Sequence, residues 1–142
     1  MRSKKKYKVS LTENLKNKLL YWSKKFEEVV WLDSNDKNNY SNYSKYTAIL
    51  AVDAFTAVKT DCYQAFKELE DYQTKTNDWL FGYLTYDLKN DTEELNSSNY
   101  DGLQFPDLFF FQPKKLFLIK NNQFVINIFI IRNGFKAIIF NI

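Results

Sequence analysis

Asp87, Asp91, Glu93 and Glu94 are grouped closely enough to suggest chemistry. Paired carboxylates in a cleft can share out acid and base roles, because burial and mutual repulsion push their pKa values apart. They can also hold Mg²⁺ together with a phosphate-bearing substrate. Here they fall in or beside a polar run, Asn90 to Gly102, where water screens such effects. A solvated acidic loop is the expected reading. A second candidate is Leu32-Asp33-Ser34. A carboxylate next to a hydroxyl at a strand end can hydrogen-bond the ammonium group of an amino acid. Ordinary strand-end turn chemistry uses the same residues. Tyr40, Tyr43 and Tyr46 follow closely, and tyrosines suit the wall of a small-ligand site.

The absences are equally informative. With no histidine, Ser-His-Asp and Cys-His catalysis and histidine-ligated metal sites are excluded. Cys62 is the single cysteine, so no disulfide within the chain and no CxxC zinc site can form. It stands near an expected helix start, but no base flanks it. The glycines Gly82, Gly102 and Gly134 do not have the spacing of a dinucleotide or Walker loop. Twenty Lys and Arg against 17 Asp and Glu give a net charge of +3. Arg2, Lys4, Lys5, Lys6 and Lys8 supply five of those positive charges, so the remainder carries +3 − 5 = −2. A near-neutral body argues against a nucleic-acid-binding one. The basic start is expected to be a solvated tail, residues 1–9. No apolar stretch follows it to make a signal peptide, and no apolar run nears the roughly 20 residues of a spanning helix. A cytoplasmic protein is the expectation.

Several elements must position these residues. Ser10 and Glu13 have capping-box spacing, and Leu15, Leu19, Trp22 and Phe26 continue as one helical stripe. The spacing predicts a helix over 10–28. Val29 to Leu32 reads as a buried strand, 33–46 as a loop and Ala48 to Val52 as the next strand. Asp61 is placed to N-cap a helix over 62–74, with Tyr63, Phe66, Leu69 and Tyr72 or Gln73 facing inward. Trp79 to Leu88 reads as a strand with two apolar faces, in which Gly82 suggests a bulge or a close backbone approach. A short strand is expected between Pro106 and Pro113. Leu116 to Ile119 and Phe124 to Ile131 could pair as a hairpin across Lys120 to Gln123. The result is an α+β fold, with antiparallel strands packed against helices.

Residues 121–142 differ in composition. Seven Ile, four Phe and five Asn fill 16 of these 22 positions, and no acidic residue occurs among them. They fit a pair of strands that something else must cover. They equally fit an out-of-frame translation of an AT-rich gene. Left uncovered they would aggregate, so a chain ending near Lys120 is expected to be the more soluble one.

Two long motifs carry a resemblance. They are Trp79-Leu-Phe-Gly-Tyr-Leu-Thr-Tyr-Asp-Leu-Lys-Asn-Asp-Thr-Glu93 and Phe105-Pro-Asp-Leu-Phe-Phe-Phe-Gln-Pro113. In order and spacing they resemble the amino-terminal region of component I of aminodeoxychorismate synthase, the para-aminobenzoate enzyme of folate synthesis. Anthranilate synthase component I is its close relative and the rival within the family. A non-catalytic module that binds an aromatic amino acid or a subunit is the rival from another class. Trp31-Leu-Asp-Ser34 and Tyr43 to Asp53 resemble neighbouring family segments, and the likeness covers about residues 10–120. It implies a chain that holds the amino-terminal part of an enzyme turning chorismate into 4-amino-4-deoxychorismate. Mg²⁺ and the catalytic residues would belong to a separate carboxy-terminal region, so no catalytic or metal-binding residue is assigned here. A glutamine amidotransferase subunit is the implied partner. Relatives hold a tryptophan pocket in this region, and the matching positions are Leu32, Asp33 and Ser34, with Tyr43 and Lys45 as neighbours. Asp33 stands where the anthranilate branch commonly has Glu, one methylene longer.

Overall fold

A computed structural model describes residues 1–35, 45–93, 100, 102–120 and 123–129. The expected α+β class is found, as a six-stranded antiparallel sheet with a few helices. The strands are β1 (Arg2–Lys8), β2 (Val29–Asp33), β3 (Ala48–Thr60), β4 (Phe81–Leu84), β5 (Leu108–Lys120) and β6 (Gln123–Phe129). The helices are α1 (Glu13–Ser23) and α2 (Ala65–Thr76), with a 3-10 helix over Tyr86–Asp91. The chain divides into two compact units, Met1–Asp53 with Lys114–Ile142, and Ala54–Pro113.

In the first unit the strand order is β1-β6-β5-β3-β2. The hairpin expected from two apolar runs across Lys120 to Gln123 forms, with Ile119 opposite Phe124 and Phe117 opposite Ile126. The basic start is not a solvated tail. It is β1, paired along β6 from Arg2 opposite Phe129 to Lys8 opposite Gln123. The strand places β6 between two neighbours, which suits its apolar character on both faces. Residues 130–142, including the strand expected at 135–140, lie outside the described residues.

α1 is shorter than its apolar stripe suggested. Thr12, not Ser10, caps it by accepting a hydrogen bond from the Leu15 N–H. Leu11, Leu15, Leu19, Trp22 and Phe26 nevertheless pack as that stripe requires, against Leu50, Val52, Phe117, Ile119, Phe124 and Ile126. Trp22 meets both Phe26 and Phe117 edge-on. Among the described residues β2 has β3 as its one strand neighbour, and it is half exposed rather than buried.

In the second unit, α2 starts three residues later than the 62–74 expected. Its buried contact is made by Ala65 and Leu69 with Val58, Leu88, Leu108 and Phe110. Tyr63 and Phe66, expected inside, are exposed. Asp61 does not cap it. The Asp91 carboxylate does, accepting from the N–H groups of Gln64 at 2.6 Å and Phe66 at 3.4 Å. The long strand expected over Trp79 to Leu88 is only the four residues of β4. Leu88 is buried, but on the 3-10 helix.

Candidate functional site

Asp33 ends β2 opposite Ala48, and the Ser34 N–H donates to the Thr47 carbonyl. The carboxylate is already engaged. Its Oδ2 accepts from Lys16 Nζ at 2.8 Å and its Oδ1 from the Asn35 N–H at 2.9 Å. The bond from Lys16 lowers the Asp33 pKa, and the same bond raises that of Lys16. An incoming ammonium group would have to share this carboxylate with Lys16. Leu32 points outward and is 51% exposed. Lys45 is exposed, with its ammonium 5.7 Å from the centre of the Tyr46 ring. Tyr43 and Tyr40 lie outside the described residues. The structure therefore brings Asp33 and Ser34 together at the strand end and adds Lys16, which local sequence reading could not supply from 17 residues away.

The acidic run separates into individual roles. Asp91 serves the start of α2, and Asp87 meets Lys89 at 3.3 Å on the surface. Glu94 lies outside the described residues. Among the described residues no three of His, Cys, Asp or Glu gather as a metal would need.

The two long motifs pair with each other. Phe81 lies opposite Phe111, Gly82 opposite Phe110 and Tyr83 opposite Phe109. Beyond the strand, Thr85 is locked to Asp107 twice. Its N–H donates to the Asp107 carbonyl at 2.8 Å, and its hydroxyl to the carboxylate at 2.6 Å. The rings of Phe109 and Phe111 stack at 5.8 Å, and Trp79 stacks on Phe81 at 6.1 Å. The buried side chain of Gln112 donates to Asp78 at 2.7 Å and accepts from Thr56 at 3.3 Å. The Gln112 backbone N–H is satisfied by the Tyr72 hydroxyl at 3.2 Å. Buried polar groups need such partners, so this network fixes the register of β5 against α2.

One charged cluster escaped sequence reading. Asp53 has a left-handed backbone, φ 67°, inside β3. That conformation is uncommon for a non-glycine residue, and Asp tolerates it better than most. Its carboxylate takes Lys114 at 2.8 Å and also Lys115, whose ammonium lies 4.5 Å from the centre of the Phe26 ring. Burial raises the Asp53 pKa, but the hydrogen bonds from Lys114 and Lys115 outweigh it and hold the carboxyl below its ordinary value. A lowered folded pKa makes its contribution complete above the unfolded value, near 3.8. The contribution is lost as pH falls through the folded value. Asp53→Asn keeps a side chain that accepts the left-handed backbone and removes this charge. It is expected to flatten the acid side of the stability profile below about pH 4, as read by urea unfolding at stepped pH. An unchanged acid slope would show that these ion pairs do not stabilise the fold.

No helix among the described residues is long and apolar enough to cross a membrane. No family model, curated protein or solved structure matches the chain.

Proposed function

We propose that this chain is the amino-terminal, non-catalytic region of an aminodeoxychorismate synthase component I-type enzyme. The observation that carries the reading is the pairing of its two most specific motifs. Residues 79–93 and 105–113, which resemble the family separately, meet as β4 and the first part of β5 and are tied by Thr85 and Asp107. Two segments that resemble neighbouring parts of one family domain are expected to pack as one unit, and these do. In this reading the chain performs no chemistry of its own. Its sheet and helices support a chorismate- and Mg²⁺-binding region to which ammonia is delivered by a glutamine amidotransferase subunit. The strand end at Asp33 and Ser34, with Leu32, is the proposed place for a tryptophan-like ligand, and the resemblance adds Lys45 and Tyr43, the latter outside the described residues.

Two measurements test this. The purified chain with chorismate, Mg²⁺ and ammonium is expected to form no aminodeoxychorismate, since no histidine and, among the described residues, no clustered carboxylates are present to move protons on the substrate. Added in trans to the chorismate-binding region of a para-aminobenzoate enzyme lacking its own amino-terminal part, the chain is expected to raise ammonium-dependent product formation. Product from the chain alone, or no gain over the catalytic region alone, would sink the proposal.

A further inference from the structure

We propose that the first unit binds a single strand of nucleic acid along the side of α1 that faces β1, where Lys5, Lys18, Lys24 and Lys25 stand with Tyr7 and Tyr21. The small net charge of the chain hides two opposite halves. Residues 1–53 and 114–142 hold 16 Lys and Arg against 6 Asp and Glu, 16 − 6 = +10. Residues 54–113 hold 4 against 11, 4 − 11 = −7. The five cations of the first eight residues account for only half of that +10. The near-neutral remainder that argued against nucleic acid is therefore the cancellation of a basic unit by an acidic one. A basic unit of this kind is the electrostatic footprint of a phosphate-bearing partner.

The topology sets part of this charge beside exposed aromatic rings. Lys5 and Tyr7 lie opposite Ile126 and Phe124 of β6, and residues directly opposite share a face of the sheet. Ile126 and Phe124 pack against the apolar stripe of α1, so Lys5 and Tyr7 are on the α1 side. Among the described strands β1 and β2 are at opposite ends of the order. Lys16 of α1 reaches Asp33 of β2 at 2.8 Å, which turns that flank of the helix toward the β2 end. Lys18 and Tyr21 lie about 140–160° around the helix from Lys16, on the flank toward β1. Lys5, Lys18, Lys24 and Lys25 are exposed, and Tyr7 and Tyr21 are 45% and 76% exposed. The Lys24 ammonium lies 5.5 Å from the centre of the Tyr21 ring. None of these four lysines is in an ion pair among the described residues. Exposed rings interleaved with lysines suit a single strand, whose unstacked bases lie on the rings while the ammonium groups follow its phosphates. A duplex keeps its bases stacked and would use the lysines alone. This site is independent of the chorismate reading, and either can fail without the other.

The test is fluorescence anisotropy on the full chain at low ionic strength, with a labelled thymidine dodecamer and an abasic dodecamer of the same backbone. The thymidine strand is expected to bind saturably and at least about fivefold more tightly than the abasic one. Its affinity should fall with salt with a log–log slope of about −3, the value for four phosphates contacted. Tyr21→Ala is expected to remove most of the preference for thymidine. Lys18→Gln with Lys25→Gln is expected to weaken binding about tenfold and to reduce the slope by about 1.4. Lys4→Gln with Lys6→Gln, on the other face of β1, should cost less than about threefold. No saturable binding, or equal affinity for the two dodecamers, overturns the proposal. So does an equal loss from the two lysine pairs, which would mean that charge acts without this site. Tighter binding to phosphatidylserine vesicles than to the thymidine strand also overturns it, by making the basic unit a membrane contact. The comparison of dodecamers uses the unaltered chain, so it decides the matter even if a variant fails to fold.

Discussion

Replacing Gly82 with alanine is expected to cost at least about 3 kcal/mol, the upper end for forcing extra volume into packed structure. A Cβ on Gly82 would stand 1.8 Å from the carbonyl oxygen of Phe109 and 2.7 Å from the Cα of Phe110. Both are backbone atoms of the paired strand, so no side-chain rotation relieves the clash. β4 would have to leave β5. The stacking of Trp79 on Phe81, and the pairing of buried Phe81 opposite buried Phe111, would be disturbed with it. The Thr85–Asp107 pair just past the strand would also be strained. Gly102 is the matched control. Among the described residues the nearest atoms to a Cβ there belong to the ring of Tyr100, at 2.9 Å, and that ring is almost fully exposed. Gly102→Ala is expected to change stability by less than about 0.5 kcal/mol, as surface substitutions do. Urea unfolding of the two variants side by side reads the difference. Similar costs for both would mean that β4 and β5 do not approach as described.

Sequence reading reached Gly82 because a glycine inside an apolar, aromatic run marks a bulge or a place where another backbone comes close. It could not show that the strand stops at Leu84, since Tyr86 to Leu88 continue the apolar alternation while folding as a 3-10 turn. The hairpin of β5 and β6 was legible because two apolar runs flank a short polar stretch, Lys120 to Gln123. What was hidden depended on residues far away in the chain. A run of Arg and Lys looks like a solvated tail until β6 lies beside it, about 120 residues later. The start of α2 was misplaced because its cap, Asp91, lies 27 residues beyond Gln64. Asp61, beside the expected start, looked like the local answer. At the candidate site, the polar strand end at Asp33 and Ser34 was visible, and Lys16 was not. Nothing local signals the left-handed backbone of Asp53 or the two lysines gathered on it. Local propensity is a weak prior wherever tertiary partners decide the outcome.

A chain ending at Lys120 is expected to be less soluble than the whole, the reverse of what the composition of residues 121–142 suggests. Cutting there removes β6, and β6 is an interior strand. Phe124 and Ile126 are buried in the core of the first unit. Burial of two such side chains is worth about 1.5–3 kcal/mol each, against a total stability of about 5–15 kcal/mol for a typical domain. Their loss would also uncover Phe117 and Ile119, which share that core. The edge of β5 that hydrogen-bonds β6 along Lys115–Lys120 would be left open, as a strand of mostly apolar residues without a neighbour there. β1 would lose its described strand partner and leave the sheet with its lysines. The apolar stripe of α1, with Leu19 buried and Trp22 against Phe117, would then rest on a sheet without two of its strands. The shortened chain should therefore show aggregates by light scattering, weaker sheet signal in circular dichroism and red-shifted tryptophan emission as Trp22 and Trp31 meet water. A shortened chain that stays monodisperse with the spectrum of the whole would show that β6 is dispensable and that the core of this unit is complete without it.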